Sequence, residues 1–188
     1  MNNINTTNAA GKPSPRRLVL IAMMTAITCI LAPLSIPIPV SPVPISLTNL
    51  VLLISVYILG WKDASISFII YLLLGLAGLP VFSGFSGGLG KIGPTGGYLA
   101  GFIFMTVIAG LAVDIFSGRR LPAVIGMALG TAVAYAFGTA WLAIQMDLTF
   151  ISALSIGVLP YLAGDTLKII LAVIAGPMLQ KRLRPLNL

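Results

Sequence analysis

With 188 residues, 58% of them hydrophobic and only 8% charged, the chain cannot clothe a soluble domain, which typically carries about 25% charged residues. Its formal net charge of +7 does not point to nucleic acid, because the basic residues stand singly or in small groups at the ends of apolar runs and not on one polar face. There is no His, and the four acidic residues are all Asp (Asp63, Asp114, Asp147 and Asp165), which excludes His/Glu metal sites, Ser-His-Asp triads and Glu-based intramembrane proteases by inventory.

Mean hydropathy is +1.07, so the bilayer is the natural ruler, at about 20 residues per spanning helix. Residues 1–15 are polar and read as a disordered tail. The first apolar run covers 17–33. Ala32 is followed by Pro33 and more apolar runs follow, so it reads as a retained helix and not a cleaved signal. Cys29, the only cysteine, lies inside it and reads as a small packed hydrophobe. Residues 33–44 hold five prolines in twelve positions. They forbid a regular helix and suggest an extended or short re-entrant segment shielded by protein.

The second run, 46–60, ends at Trp61-Lys62-Asp63, an interfacial aromatic followed by charges. The third covers 64–79 and stops at Pro80. Residues 81–97 then carry seven glycines in seventeen positions. The fourth run is 98–116. The fifth, 122–146, contains Gly126, Gly130 and Gly138, small residues that let helices approach closely. A linker from 147 to 159 leads to the sixth run, 160–179. The expected fold is all-α, with six transmembrane helices in one membrane domain over residues 16–188.

Six spans place both termini on one side. If that side is cytoplasmic, it collects Lys12, Arg16, Arg17, Lys62, Arg119, Arg120, Lys181, Arg182 and Arg184, nine of the eleven basic residues. Lys91 is then outside and Lys168 lies within the last span. Basic loops resist translocation, so this orientation is the expected one. It puts the proline-rich segment, the glycine-rich segment and the linker before the last span on the outer face. A small-molecule site at that mouth, serving import, follows from the arrangement.

Three constellations could form the site. Asp165 and Lys168 lie three residues apart, on one helical face and within pairing distance. Ionisable residues inside spans are costly and usually meet a cavity or a partner, although a structural ion pair or a snorkelling lysine is the plainer account. Gly88 to Gly93 formally matches G-x-G-x-x-G but lacks the strand–helix context of a dinucleotide site. A P-loop fails too, with Phe85 and Ile92 in place of Gly and Ser/Thr. The segment is then either a flexible loop or a close-packed lid, with Tyr98 at its interfacial end. Ser46, Thr48 and Asn49 open the second span, where helix capping and ligand hydrogen bonding are both open. Asp114, near the inner end of the fourth run, is expected to pair with Arg119 or Arg120 or to contact a partner.

At PVSPVPISLTNL, SGGLGKIGPTGGYLAGF and PYLAGDTLK the sequence resembles the BioY family, the biotin-binding S components of energy-coupling factor transporters. The resemblance runs from about residue 15 to 182. It implies a prokaryotic multi-pass membrane protein that binds biotin under outer-side loops and hydrolyses no ATP. Its implied partners are a membrane-embedded coupling protein and two cytoplasmic ATPases; no metal or cofactor is implied. The family's last-helix Asp and Lys match Asp165 and Lys168. Its polar residue before paired glycines matches Ser86, Gly87 and Gly88, in a loop one residue shorter here, and Thr48 stands where Gln is common. The Ala-x-x-x-Ala contact motif matches Ala22 and Ala26. In biotin terms, Lys168 can meet the carboxylate, and Asp165 can accept from the ureido N–H groups or hold Lys168. Ser86, Thr48 and Asn49 offer neutral partners, and Tyr98 or Phe85 can cover the ring. A proton-coupled secondary transporter of a small carboxylate vitamin is the alternative.

Overall fold

The computed structural model describes residues 14–88 and 93–183. Most of the expected N-terminal tail, with Lys12, and also Lys91 and Arg184, lie outside the described residues. The first helix, α1 (Pro15–Leu31), starts where Ser14 Oγ accepts the Arg17 N–H at 3.3 Å and Pro15 presets the first turn. It ends at the prolines. There the chain departs from an all-α fold: β1 (Ile36–Ile38) and β2 (Ser41–Ile45) pair antiparallel, Ile36 opposite Ile45 and Ile38 opposite Ser41. Proline drives its predecessor into extended backbone and lacks a ladder N–H. A two-stranded hairpin, in which each strand keeps one unpaired edge, accommodates both constraints.

The helix α2 (Thr48–Leu76) is continuous only nominally, because Gly60 interrupts it at φ 76°, ψ 169°. Contacts to α1 give the path. Ser46 Oγ reaches Ala32 O at 3.4 Å, near the start of the first arm. Just beyond Gly60, Asp63 takes the Arg17 guanidinium at 2.5 and 2.7 Å. Thr25 then meets Ser67 at 3.0 Å, and Gly84 N donates to Pro33 O at 3.2 Å. The chain thus descends to a basic end, reverses at Gly60 and returns. Only a residue at ease in left-handed backbone fits the turn. Asp114 completes it: its Oδ2 accepts the Trp61 N–H at 3.2 Å. That corrects the expected pairing with Arg119 or Arg120. A freed helix-start N–H at a tight reversal needs an acceptor, and the carboxylate supplies it.

The next two helices, α3 (Gly96–Ile115) and α4 (Arg120–Gln145), pack through small residues. A Cβ on Gly126 would stand 2.2 Å from Ala112 Cβ, and one on Gly130 2.9 Å from Met105 O. The close approach expected of these glycines is what the two helices make. The expected linker instead contains a short helix, α5 (Phe150–Gly157), capped by Thr149, whose Oγ1 accepts the Ser152 N–H at 3.3 Å. Eight residues are too few to show a period in sequence, and the cap alone starts the helix. A 3-10 turn, Leu159–Tyr161, then leads into α6 (Leu162–Leu183).

The interior is built from Leu52, Leu53, Tyr57, Phe68, Tyr71, Met105 and Met127. The outside is no less apolar: Ile125, Leu129, Ile144, Ile151, Leu167, Ile170 and Ile174 are all exposed. Such a surface calls for lipid. Among the described residues, four stretches are long and apolar enough to cross a bilayer, Thr48–Leu76, Gly93–Ile115, Arg120–Gln145 and Phe150–Leu183. The chain is a mostly helical, multi-pass membrane protein with a small hairpin at one end.

Candidate functional site

At the end opposite Gly60, the start of α2, β2, the start of α3, α4 and the start of α6 surround a cavity of about 620 Å³, its open mouth included. The chemistry collects on one side of it. Asp165 Oδ1 accepts from Asn49 Nδ2 at 2.8 Å and from Lys168 Nζ at 2.9 Å, while Oδ2 accepts the Tyr135 hydroxyl at 2.6 Å. Three helices, α2, α4 and α6, therefore fix one carboxylate. Lys168 Nζ also donates to Ser46 O at 2.7 Å, so the link between β2 and α2 is joined to the last helix through the ammonium.

Both charged side chains are almost withdrawn from solvent, at 12% exposure for Asp165 and 10% for Lys168. Burying either alone would be costly, and even a buried pair persists only when its remaining hydrogen-bonding capacity is met. The pair expected from the three-residue spacing is formed, and it lies in the cavity lining. An ammonium has three N–H donors. Two are used among the described residues.

The other walls are aromatic. Tyr98 donates to Gly157 O at 2.8 Å, and its ring lies flat on Gly138, where a Cβ would come within 2.2 Å. The Tyr161 hydroxyl donates to Val43 O, binding the hairpin to the 3-10 turn before α6. Phe82 and Phe102 complete the apolar lining. Of the residues singled out in sequence, Asp165, Lys168, Asn49, Thr48 and Tyr98 come together here. Thr48 Oγ1 pairs with Ser46 Oγ at 2.7 Å, and Asn49 Oδ1 accepts the Leu50 N–H at 3.1 Å. Asn49 thus serves both the backbone and the site.

The glycine-rich segment behaves differently. Phe82 and Ser86 bond each other's backbone across a tight turn in which Gly84 and Phe85 both have positive φ. The reversal sends Phe82 and Ser83 into the cavity lining and Phe85 outward, 64% exposed. Ser86 donates to Ser83 O at 3.0 Å instead of lining the cavity. Gly87 is wedged where a Cβ would stand 2.1 Å from Leu79 O, and Gly88 N donates to Gly75 O at 2.7 Å. Phe85, Ser86, Gly87 and Gly88 therefore shape the loop; they do not line the cavity. Ala22 and Ala26 lie elsewhere, on an exposed face of α1. Tyr135, Tyr161, Phe82, Ser83 and Phe102 are among the lining residues that sequence reasoning passes over. The signal available for the tyrosines was a hydroxyl within an apolar run, which must find an acceptor when buried.

The "BioY family" profile matches residues 4–185. The chain is 38% identical over 166 residues to a "Probable biotin transporter BioY" of Pyrococcus horikoshii, covering 88% of this chain and 96% of that one. It is 34% identical over 167 residues to the "Biotin transporter BioY" of Thermotoga maritima, again over 88% and 96%. Among solved structures, the S-component for biotin from an ECF-type ABC transporter superposes with a TM-score of 0.81 at 32% identity, over 88% of this chain and 91% of that one. On the strength of a match across nearly its whole length, this chain belongs to the BioY family.

Proposed function

We propose that this chain captures biotin at the outer face of a prokaryotic cell membrane, as the substrate-binding S component of an energy-coupling factor transporter. It is a transport component and not an enzyme. The observation that carries the reading is the buried Asp165–Lys168 pair, held by Asn49 and Tyr135 at the edge of a cavity with aromatic walls. Biotin offers a carboxylate, a ureido group and an apolar fused ring. The Lys168 ammonium suits the carboxylate, where a charge-assisted bond is strongest. Asp165 has both oxygens engaged, so its part is to hold Lys168 and to present Asn49. Thr48 supplies a neutral hydroxyl, and Tyr98 with Phe82 encloses the ring. Phe85, Ser86, Gly87 and Gly88 set the turn that carries Phe82 and Ser83 inward.

The chain crosses the membrane six times, with the two arms of α2 counted separately, and both termini are cytoplasmic. Support comes from the reversal at Gly60 and from the gathering of Arg16, Arg17, Lys62, Arg119, Arg120, Lys181 and Arg182 at the basic end. Energy comes from partners, a membrane-embedded coupling protein and two cytoplasmic ATPases. The exposed Ala22 and Ala26 offer the coupling protein a shallow, small-residue face on α1.

Labelled-biotin uptake tests the assignment against a proton-coupled carrier. In cells expressing the chain with a coupling protein and its ATPases, uptake is expected to fall when ATP is depleted and to survive dissipation of the proton gradient. Uptake that follows the proton gradient and ignores ATP would reverse the assignment.

A further inference from the structure

Tyr135 and Asp165 border two hollows. One is the cavity described above. The other, about 440 Å³ with its open mouth included, lies between α4 and α6 and is lined also by Thr131, Ala132 and Thr166. No other residue belongs to both linings. Ala132 and Thr166 are exposed, so this second hollow faces the lipid. Its hydroxyls are spent on their own helices: Thr131 donates to Met127 O at 2.8 Å and Thr166 to Leu162 O at 2.7 Å. Neither serves the carboxylate. Among the described residues, only the Tyr135 hydroxyl, 2.6 Å from Asp165 Oδ2, covers that oxygen. A carboxylate oxygen left open toward lipid would carry a heavy desolvation cost.

We propose that Tyr135 is a positioning residue for the biotin site and the partition between that site and the lipid-facing hollow. Its hydroxyl holds Asp165, and through Asp165 the Lys168 ammonium, while its ring closes the gap between α4 and α6. The positioning role rests on the biotin reading; the partition does not.

The two functions separate by substitution. In proteoliposomes, a Cys29→Ala background carrying Ala132→Cys is exposed to a charged, membrane-impermeant thiol reagent, which reaches the new thiol only through the cavity. Tyr135→Phe keeps the ring and loses the hydroxyl. It should label at the parent rate while biotin affinity falls about tenfold to a hundredfold, the effect of stripping a donor from a buried charged acceptor. Tyr135→Ala should lose affinity as well, label at least about tenfold faster, and be protected by biotin. A uniformly destabilising change would not split the two readouts this way. Unchanged affinity in Tyr135→Phe would overturn the positioning role, and unchanged labelling in Tyr135→Ala the partition. A parent protein that binds no biotin would refute the ligand, while the labelling comparison would still decide the partition.

Discussion

Two carboxylate–cation pairs stand at opposite ends of the molecule, and they differ in almost everything except chemistry. At the basic end, Arg17 grips Asp63 in a two-pronged contact, but the arginine side chain is 45% exposed. At the cavity end, Asp165 and Lys168 are both nearly excluded from solvent, and each has a further partner. Exposed pairs are screened and contribute little. A buried pair is costly to make and costly to break. The first ties α1 to the turn of α2; the second lies in the cavity lining.

The contrast predicts a graded series. Removing one member of the buried pair, by Lys168→Ala or Asp165→Asn, should weaken biotin binding by more than about a hundredfold, since breaking such a pair costs about 3–5 kcal/mol. Titration of the purified variants reads this. Asn49→Ala deletes one donor to the charged acceptor and should weaken binding about tenfold to a hundredfold, for about 1.5–3 kcal/mol. Gly138→Ala drives a methyl into the Tyr98 ring, 2.2 Å away. Overpacking of that kind costs about 1–3 kcal/mol, so the thermal midpoint should fall and affinity with it, through the displaced wall. Arg17→Ala comes last: affinity should move less than about twofold. An Arg17→Ala variant as deficient as Lys168→Ala would erase the distinction between the two ends.

Much of this was legible in sequence where physics leaves few options. Two ionisable residues three apart in an apolar run, and nine of the eleven basic residues gathered at the termini and alternate loops, both stand out against the cost of charge in lipid and of translocating basic loops. Gly60 before Trp61-Lys62-Asp63 was legible as a span end, and the turn is there. Other features were hidden because they depend on tertiary partners. Asp114 could be seen to need a partner, but only the fold brings the Trp61 N–H to it. In the glycine-rich segment the family pattern leads to Ser86, Gly87 and Gly88, and ring-covering chemistry to Phe85; the turn at Gly84 and Phe85 delivers Phe82 and Ser83 to the cavity. Tyr135 looks ordinary in α4. Its importance appears only when α6 sets Asp165 against it.

Titration calorimetry of the purified chain with biotin, in parallel with Lys168→Ala and Arg17→Ala, tests the central claim most directly. The account predicts saturable one-to-one binding in the parent and in Arg17→Ala, none measurable in Lys168→Ala, and none of thiamine or riboflavin by the parent. Equal biotin binding by all three proteins, or none by the parent, would contradict it.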